Sequence, residues 1–148
     1  MKIKLEVSEE RFKEIEEKLL SLGFIIDDDA QYILSERNQY SEYISCKNQD
    51  ISCHVPISEI IFIESMGHDI FVHTSKETYK CSERLWQLEK SLNPAHFIRI
   101  SNSVIIAREH IKGIKTALSQ KFIVLLSNGT KVDVTRSYYY IFKSKLGI

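Results

Sequence analysis

The sequence predicts a mainly β fold with an α+β extension at the N-terminus. Three observations carry this. Short apolar-alternating runs recur along the chain between turn residues, with two helical-period stripes among them. Charge divides by region: residues 1–40 hold six bases and ten acids, and residues 41–148 hold fourteen bases and ten acids. Within the second region, residues 97–148 carry nine Lys and Arg against two acids, although the formal net charge of all 148 residues is zero. The charge division puts the expected boundary near residue 40; with the first main-domain strand starting at Tyr43, it separates an acidic strand–helix–strand extension over 1–42 from a main domain over 43–148.

The extension opens on Ile3, Leu5 and Val7, which alternate as in a half-buried strand. Ser8 is placed to N-cap a helix, with Glu9 and Glu10 in the first turn where the helix dipole favours acids. Phe12, Ile15, Leu19 and Leu22 form its apolar stripe, and Gly23 stops it. Phe24–Ile26 and Tyr32–Leu34 read as further strands. The Asp27-Asp28-Asp29 run reads as a solvated acidic turn rather than a metal or phosphoacceptor site. Some 40 residues bury too little surface to be robust alone.

In the main domain, strands are expected at Tyr43–Cys46, Ile51–Val55, Ile60–Glu64, Asp69–Thr74 and Glu77–Cys81. A helix follows, capped by Ser82, with Leu85, Leu88 and Leu92 on its buried face. Trp86 beside that stripe is assigned to core or interface. Strands resume at Phe97–Ile100, Ser103–Ala107, Ile111–Thr116, Lys121–Ser127 and Lys131–Thr135. Asn128-Gly129 signals a type I′ hairpin. The aromatic and basic tail, 138–148, is expected to form a short helix or turn, with its tyrosines used in packing more than in base stacking.

Other features bound the function. No run approaches the roughly 18–20 apolar residues of a membrane span, and Lys2, Lys4 and Glu6 break any leader pattern, so a cytoplasmic location is expected. Three cysteines, Cys46, Cys53 and Cys81, suit a reducing compartment. Cys46 and Cys53 flank a hairpin turn, and strand cysteines are preferred there over a regulatory disulfide. Cys53 and His54 point to opposite strand faces, which disfavours zinc. There is no Gly-rich phosphate loop, His-x-x-x-His pair or nucleophile elbow, and the five histidines are scattered, though His73 and Cys81 could meet across a hairpin. The chain is therefore read as neither an enzyme nor a protein needing a metal or cofactor. The basic third instead holds two polar clusters, Arg99-Ile100-Ser101-Asn102-Ser103 and Thr135-Arg136-Ser137, whose side chains suit phosphate oxygens and base edges.

A longer pattern unites these pieces. It runs Ile57-Ser58-Glu59-Ile60-Ile61-Phe62-Ile63-Glu64-Ser65, Leu85-Trp86-Gln87-Leu88-Glu89-Lys90-Ser91-Leu92, Phe97-Ile98-Arg99-Ile100-Ser101-Asn102-Ser103, Ile111-Lys112-Gly113-Ile114, Leu126-Ser127-Asn128-Gly129 and Val134-Thr135-Arg136-Ser137-Tyr138, closing on Phe142 to Ile148. In order and spacing it resembles the LytTR DNA-binding domain of bacterial transcription regulators, over residues 43–148. The resemblance implies about ten short antiparallel strands with one or two helices. It also implies a double-stranded DNA partner, read in the major groove by loop residues at repeated half-sites. His68, Asn102 and Arg136 fall on the family's base-contacting positions. Arg pairs with guanine O6/N7 and Asn with adenine N6/N7. Lys76, Arg99, Ser101, Ser103, Thr135 and Ser137 would then contact the DNA backbone or position the loops. Ser101 stands where many members carry His.

Many LytTR regulators carry a receiver domain, which some 40 residues cannot form. The chain resembles the short, receiver-free regulators, and for these a small membrane-protein regulator is implied. A homodimer and two monomers meeting on DNA both remain open. A second reading is a protein–protein interaction module or adaptor that keeps the fold without needing DNA, supported by the zero net charge and the acidic extension. Salt-sensitive duplex binding separates the two.

Overall fold

Alternation of Ile3 and Leu5 with Lys2, Lys4 and Glu6 builds β1 (Lys2–Glu6) with one buried face. A computed structural model, describing residues 1–36 and 40–148, divides the chain into units 1–39 and 40–148. Residues 37–39 of the expected extension lie outside the described residues.

In the first unit, α1 (Glu9–Ser21) crosses from β1 to β2 (Ile25–Ile26), and β3 (Tyr32–Ser35) follows. The sheet order is β2-β1-β3, all parallel, which a helical crossover allows and a tight hairpin does not. Ser8 holds the N-cap position, but its hydroxyl donates to Glu36 Oε1 at 3.0 Å instead of accepting from the helix. The helix ends before Leu22, which is 72% exposed, so the expected apolar stripe loses its last member. Asp27 forms a turn: its Oδ1 accepts the Asp29 N–H at 3.0 Å, and Lys2 lies 3.2 Å away. The Asp29 N–H and then Lys2 hold the Asp27 carboxyl below its ordinary range.

The second unit contains β4 (Tyr43–Asn48), β5 (Ile51–Pro56), β6 (Ile60–Met66), β7 (Asp69–Thr74), β8 (Thr78–Cys81), α2 (Leu85–Ser91), β9 (Phe97–Arg99), β10 (Val104–Ala107), β11 (Ile111–Ala117), β12 (Lys121–Leu126), β13 (Lys131–Val134) and α3 (Tyr139–Leu146). A seven-stranded antiparallel sheet runs β5-β4-β8-β7-β6-β10-β9, and a second sheet runs β11-β12-β13. This is the mainly β architecture with an α+β extension that the sequence predicts.

The continuous apolar run of β6 is explained by double burial. Ile60 and Ile63 join one cluster with Val72, Leu85 and Leu88, while Ile61 and Phe62 join a second with Ile98, Val124, Leu126 and Phe142. A register shift between Ile60 and Phe62 accommodates two successive residues in the same cluster.

Four local expectations are corrected. The N-cap of α2 is Arg84, not Ser82, because the Arg84 N–H finds Gln87 Oε1 at 2.8 Å. Trp86 is 56% exposed, with the Lys90 ammonium 5.2 Å from its ring, so it is no core residue. At Asn128-Gly129 only glycine takes positive φ, since the Asn128 side chain accepts the Thr130 N–H at 3.1 Å and fixes a different turn. The hairpins with two positive-φ residues are instead at Gln49-Asp50 and Ser119-Gln120. His73 pairs with Thr78 and Cys81 with Ile70, so His73 and Cys81 do not face each other.

Candidate nucleic-acid interface

The strand registers bring three separate loops to one end of the second unit. The loop after β9 turns at Asn102 and returns into β10, where Val104 faces Glu64. The Ser65 N–H donates to Ser103 O at 2.8 Å, so β6 leaves the sheet beside that loop and turns through Gly67-His68. The chain after β13 arrives from the other sheet, and the Thr135 N–H donates to Ile100 O at 3.0 Å. A 3₁₀ turn, Arg136–Tyr138, then carries Arg136 outward before α3 begins. The Tyr138 hydroxyl donates to Asn102 Oδ1 at 3.4 Å and ties the Asn102 and Arg136 loops through side chains. His68, Asn102 and Arg136 are all exposed at this end.

The neighbouring residues expected to touch the DNA backbone separate into three groups. Ser103 and Ser137 are exposed and Thr135 is half-buried, all in the gathered loops. Arg99 and Ser101 turn inward. Arg99 Nε donates to Ser101 O at 2.7 Å, one terminal nitrogen to Asn102 O at 2.6 Å, and the other to Glu89 Oε2 at 2.7 Å. Its guanidinium thus holds both carbonyls of the loop and anchors them to α2. Ser101 is buried, and its Oγ accepts the Ser103 N–H at 3.2 Å. These two residues shape the Asn102 loop from within.

Lys76 falls elsewhere. It lies in the turn after β7, whereas His68 lies in the turn before it. The six residues of β7 separate the two turns by about 20 Å at an ordinary strand rise.

Sequence reasoning missed three members of this end. Arg84 donates to His68 O at 3.0 Å, fixing the β6–β7 turn to the start of α2. Glu89 anchors Arg99, and Tyr138 anchors Asn102. Tyr138 was within reach of sequence, as it directly follows the Arg136-Ser137 cluster. Arg84 and Glu89 carried no local signal, because their partners lie 16 and 10 residues away.

The second unit is thus a β domain that presents three polar loops at one end, two of them laced together by side chains. The LytTr DNA-binding domain family matches residues 50–147, and the chain belongs to that family. A solved LytTr DNA-binding domain of a putative methyl-accepting/DNA response regulator from Bacillus cereus superimposes with a TM-score of 0.70 at 28% identity, covering 73% of this chain and 99% of that one. The transcriptional regulatory protein LytR of Staphylococcus aureus is 42% identical over 77 residues, 52% of this chain and 31% of that protein. The sensory transduction protein LytT of Enterococcus faecalis is 30% identical over 114 residues, 77% of this chain and 47% of that protein. The matched stretches span less than half of either relative.

Proposed function

We propose that the protein is a sequence-specific, double-stranded DNA-binding transcription regulator. On this reading Arg136, Asn102 and His68 enter the major groove, and Ser103, Thr135 and Ser137 contact phosphates. The observation that carries it is the lacing of the Asn102 and Arg136 loops. The two loops, whose Asn102 and Arg136 are 34 positions apart in sequence, are joined by the Tyr138–Asn102 and Thr135–Ile100 hydrogen bonds, with Asn102 and Arg136 both exposed. Family membership makes duplex DNA the ligand such loops would read. The basic excess of residues 97–148 would supply approach and salt-dependent affinity.

Two half-sites would be filled by a homodimer or by two monomers meeting on DNA. The acidic first unit, in which Ile3 and Leu5 alone are buried among the described residues, is the natural place for a self-contact or for a membrane-protein regulator.

Anisotropy titration of the full chain against its operator, with matched single-base variants, tests the reading. Arg136→Ala is expected to remove about 1–3 kcal/mol of discrimination at one base pair. Lys76→Ala is the internal control. Because Lys76 lies at the far end of β7, its loss should leave base preference intact. Unchanged affinity and preference in Arg136→Ala at matched salt would remove Arg136 from the base-reading set. Absence of any salt-sensitive duplex binding would favour the adaptor reading.

A further inference from the structure

The three cysteines, scattered in sequence, form a row across three neighbouring strands. Cys46 on β4 faces Cys53 on β5 directly. On its other side β4 pairs with β8 at Lys47 and Lys80, so one step along the same register sets Cys46 opposite Cys81. Facing residues in adjacent strands share one side of a sheet, with Cα atoms about 4.5–5.5 Å apart, inside the range a disulfide spans. All three are free thiols, and they line a common cavity of about 1000 Å³ together with His54, Lys80 and Ser82.

The two possible pairings are not equivalent. The Cys53 thiol donates to Cys46 O at 3.6 Å. The Cys81 thiol donates to Ser45 O at 3.7 Å, and Cys46 and Cys81 are both buried in one apolar cluster, against which the half-buried Cys53 packs. Cys46 beside it, and then the Glu83 backbone, hold the Cys81 thiol below its ordinary range, while burial opposes them. The neighbouring Cys81, together with burial, raises the Cys46 thiol. A thiolate beside a protonated thiol is the arrangement of an attacking and a resolving cysteine.

We propose that Cys81 and Cys46 form an oxidation site at which hydrogen peroxide converts the two thiols into a disulfide. The Cys81 thiolate attacks one peroxide oxygen and the O–O bond breaks. Cys81 becomes a sulfenic acid, and the released hydroxide takes a proton to give water. The Cys46 sulfur then attacks the sulfenic sulfur, forming the S–S bond, and the sulfenic oxygen leaves as a second water with the Cys46 proton. Two thiols lose two electrons in total, and one peroxide gains them. Cys53, half-buried at the end of the row, stays reduced.

The test treats the reduced full-length chain with hydrogen peroxide, blocks residual thiols with N-ethylmaleimide, and maps peptides without reduction. Cleavage after Lys47 and after Lys80 separates the three cysteines onto different peptides. The expected product is a linked Cys46–Cys81 peptide pair, lighter than its reduced parts by two hydrogens, with Cys53 carrying maleimide. In Cys46→Ser the link is lost and a dimedone adduct appears on Cys81. Recovery of maleimide on both Cys46 and Cys81, under peroxide that oxidises free cysteine, overturns the proposal. So does a link through Cys53. The wild-type map decides the matter even if Cys46→Ser fails to fold.

Discussion

Replacing Phe142 with alanine is expected to cost about 3–5 kcal/mol of stability, the largest effect of any single truncation considered for this chain. Phe142 is fully buried and is the one buried residue of α3. Its ring meets Phe122 at 5.4 Å, within the cluster where β12 and β13 pack on Ile61, Ile98 and Ile106. Truncation would open a cavity at the junction of the two sheets, which backbone held by two ladders cannot collapse to fill. Tyr140, two positions earlier, is 65% exposed, so Tyr140→Ala should cost under about 1 kcal/mol although it loses the 2.9 Å bond from Gln120. Urea denaturation of the two variants makes the comparison. Equal midpoints would mean that α3 contributes little to the fold. The contrast also bears on the candidate interface, because α3 directly continues the Arg136–Tyr138 turn and Phe142 fixes it against the sheet.

The strands were legible because alternation reports burial of one face, and Leu85, Leu88 and Leu92 were legible as one helix face for the same reason. Asn102 and Arg136 stood out as candidates because the basic third holds two polar clusters and both residues match the family's base-contacting positions. What could not be read depended on partners far along the chain. Arg99 and Lys76 look alike in sequence as candidate phosphate ligands. The first is folded inward by Glu89 and two carbonyls, and the second is carried to the opposite end of β7. The turns before and after a strand lie at its opposite ends, but only the strand order decides which other loops gather at each end. The cysteine row was hidden likewise, since a one-residue change in the pairing of β4 with β5 or β8 would put the thiols on different faces. At Asn128-Gly129 the strongest local turn signal misled, because the Asn128 side chain competes for the backbone.

Arg99 offers the sharper test of how the interface is built. Its side chain is only 15% exposed and makes three charge-assisted contacts. Arg99→Ala leaves the Ser101 and Asn102 carbonyls without this donor and frees Glu89. Discounting the half-exposed Glu89 end, the expected loss is about 2–3 kcal/mol. The effect on DNA discriminates more. A side chain that touches phosphate contributes about 0.9 to the slope of log affinity against log salt, and its removal flattens that slope. A side chain that only holds Asn102 in place lowers affinity at every salt concentration and leaves the slope unchanged. The buried geometry predicts the second pattern. Arg99→Lys should behave nearly as the alanine variant does, because one ammonium cannot span the two carbonyls and the carboxylate that the planar fork reaches together. Salt titrations of wild type, Arg99→Ala and Arg99→Lys, each at a temperature where all three are folded, separate the cases. A slope reduced by about one in the alanine variant and restored by lysine would return Arg99 to the phosphate-contacting set that its charge and position in the sequence first suggest.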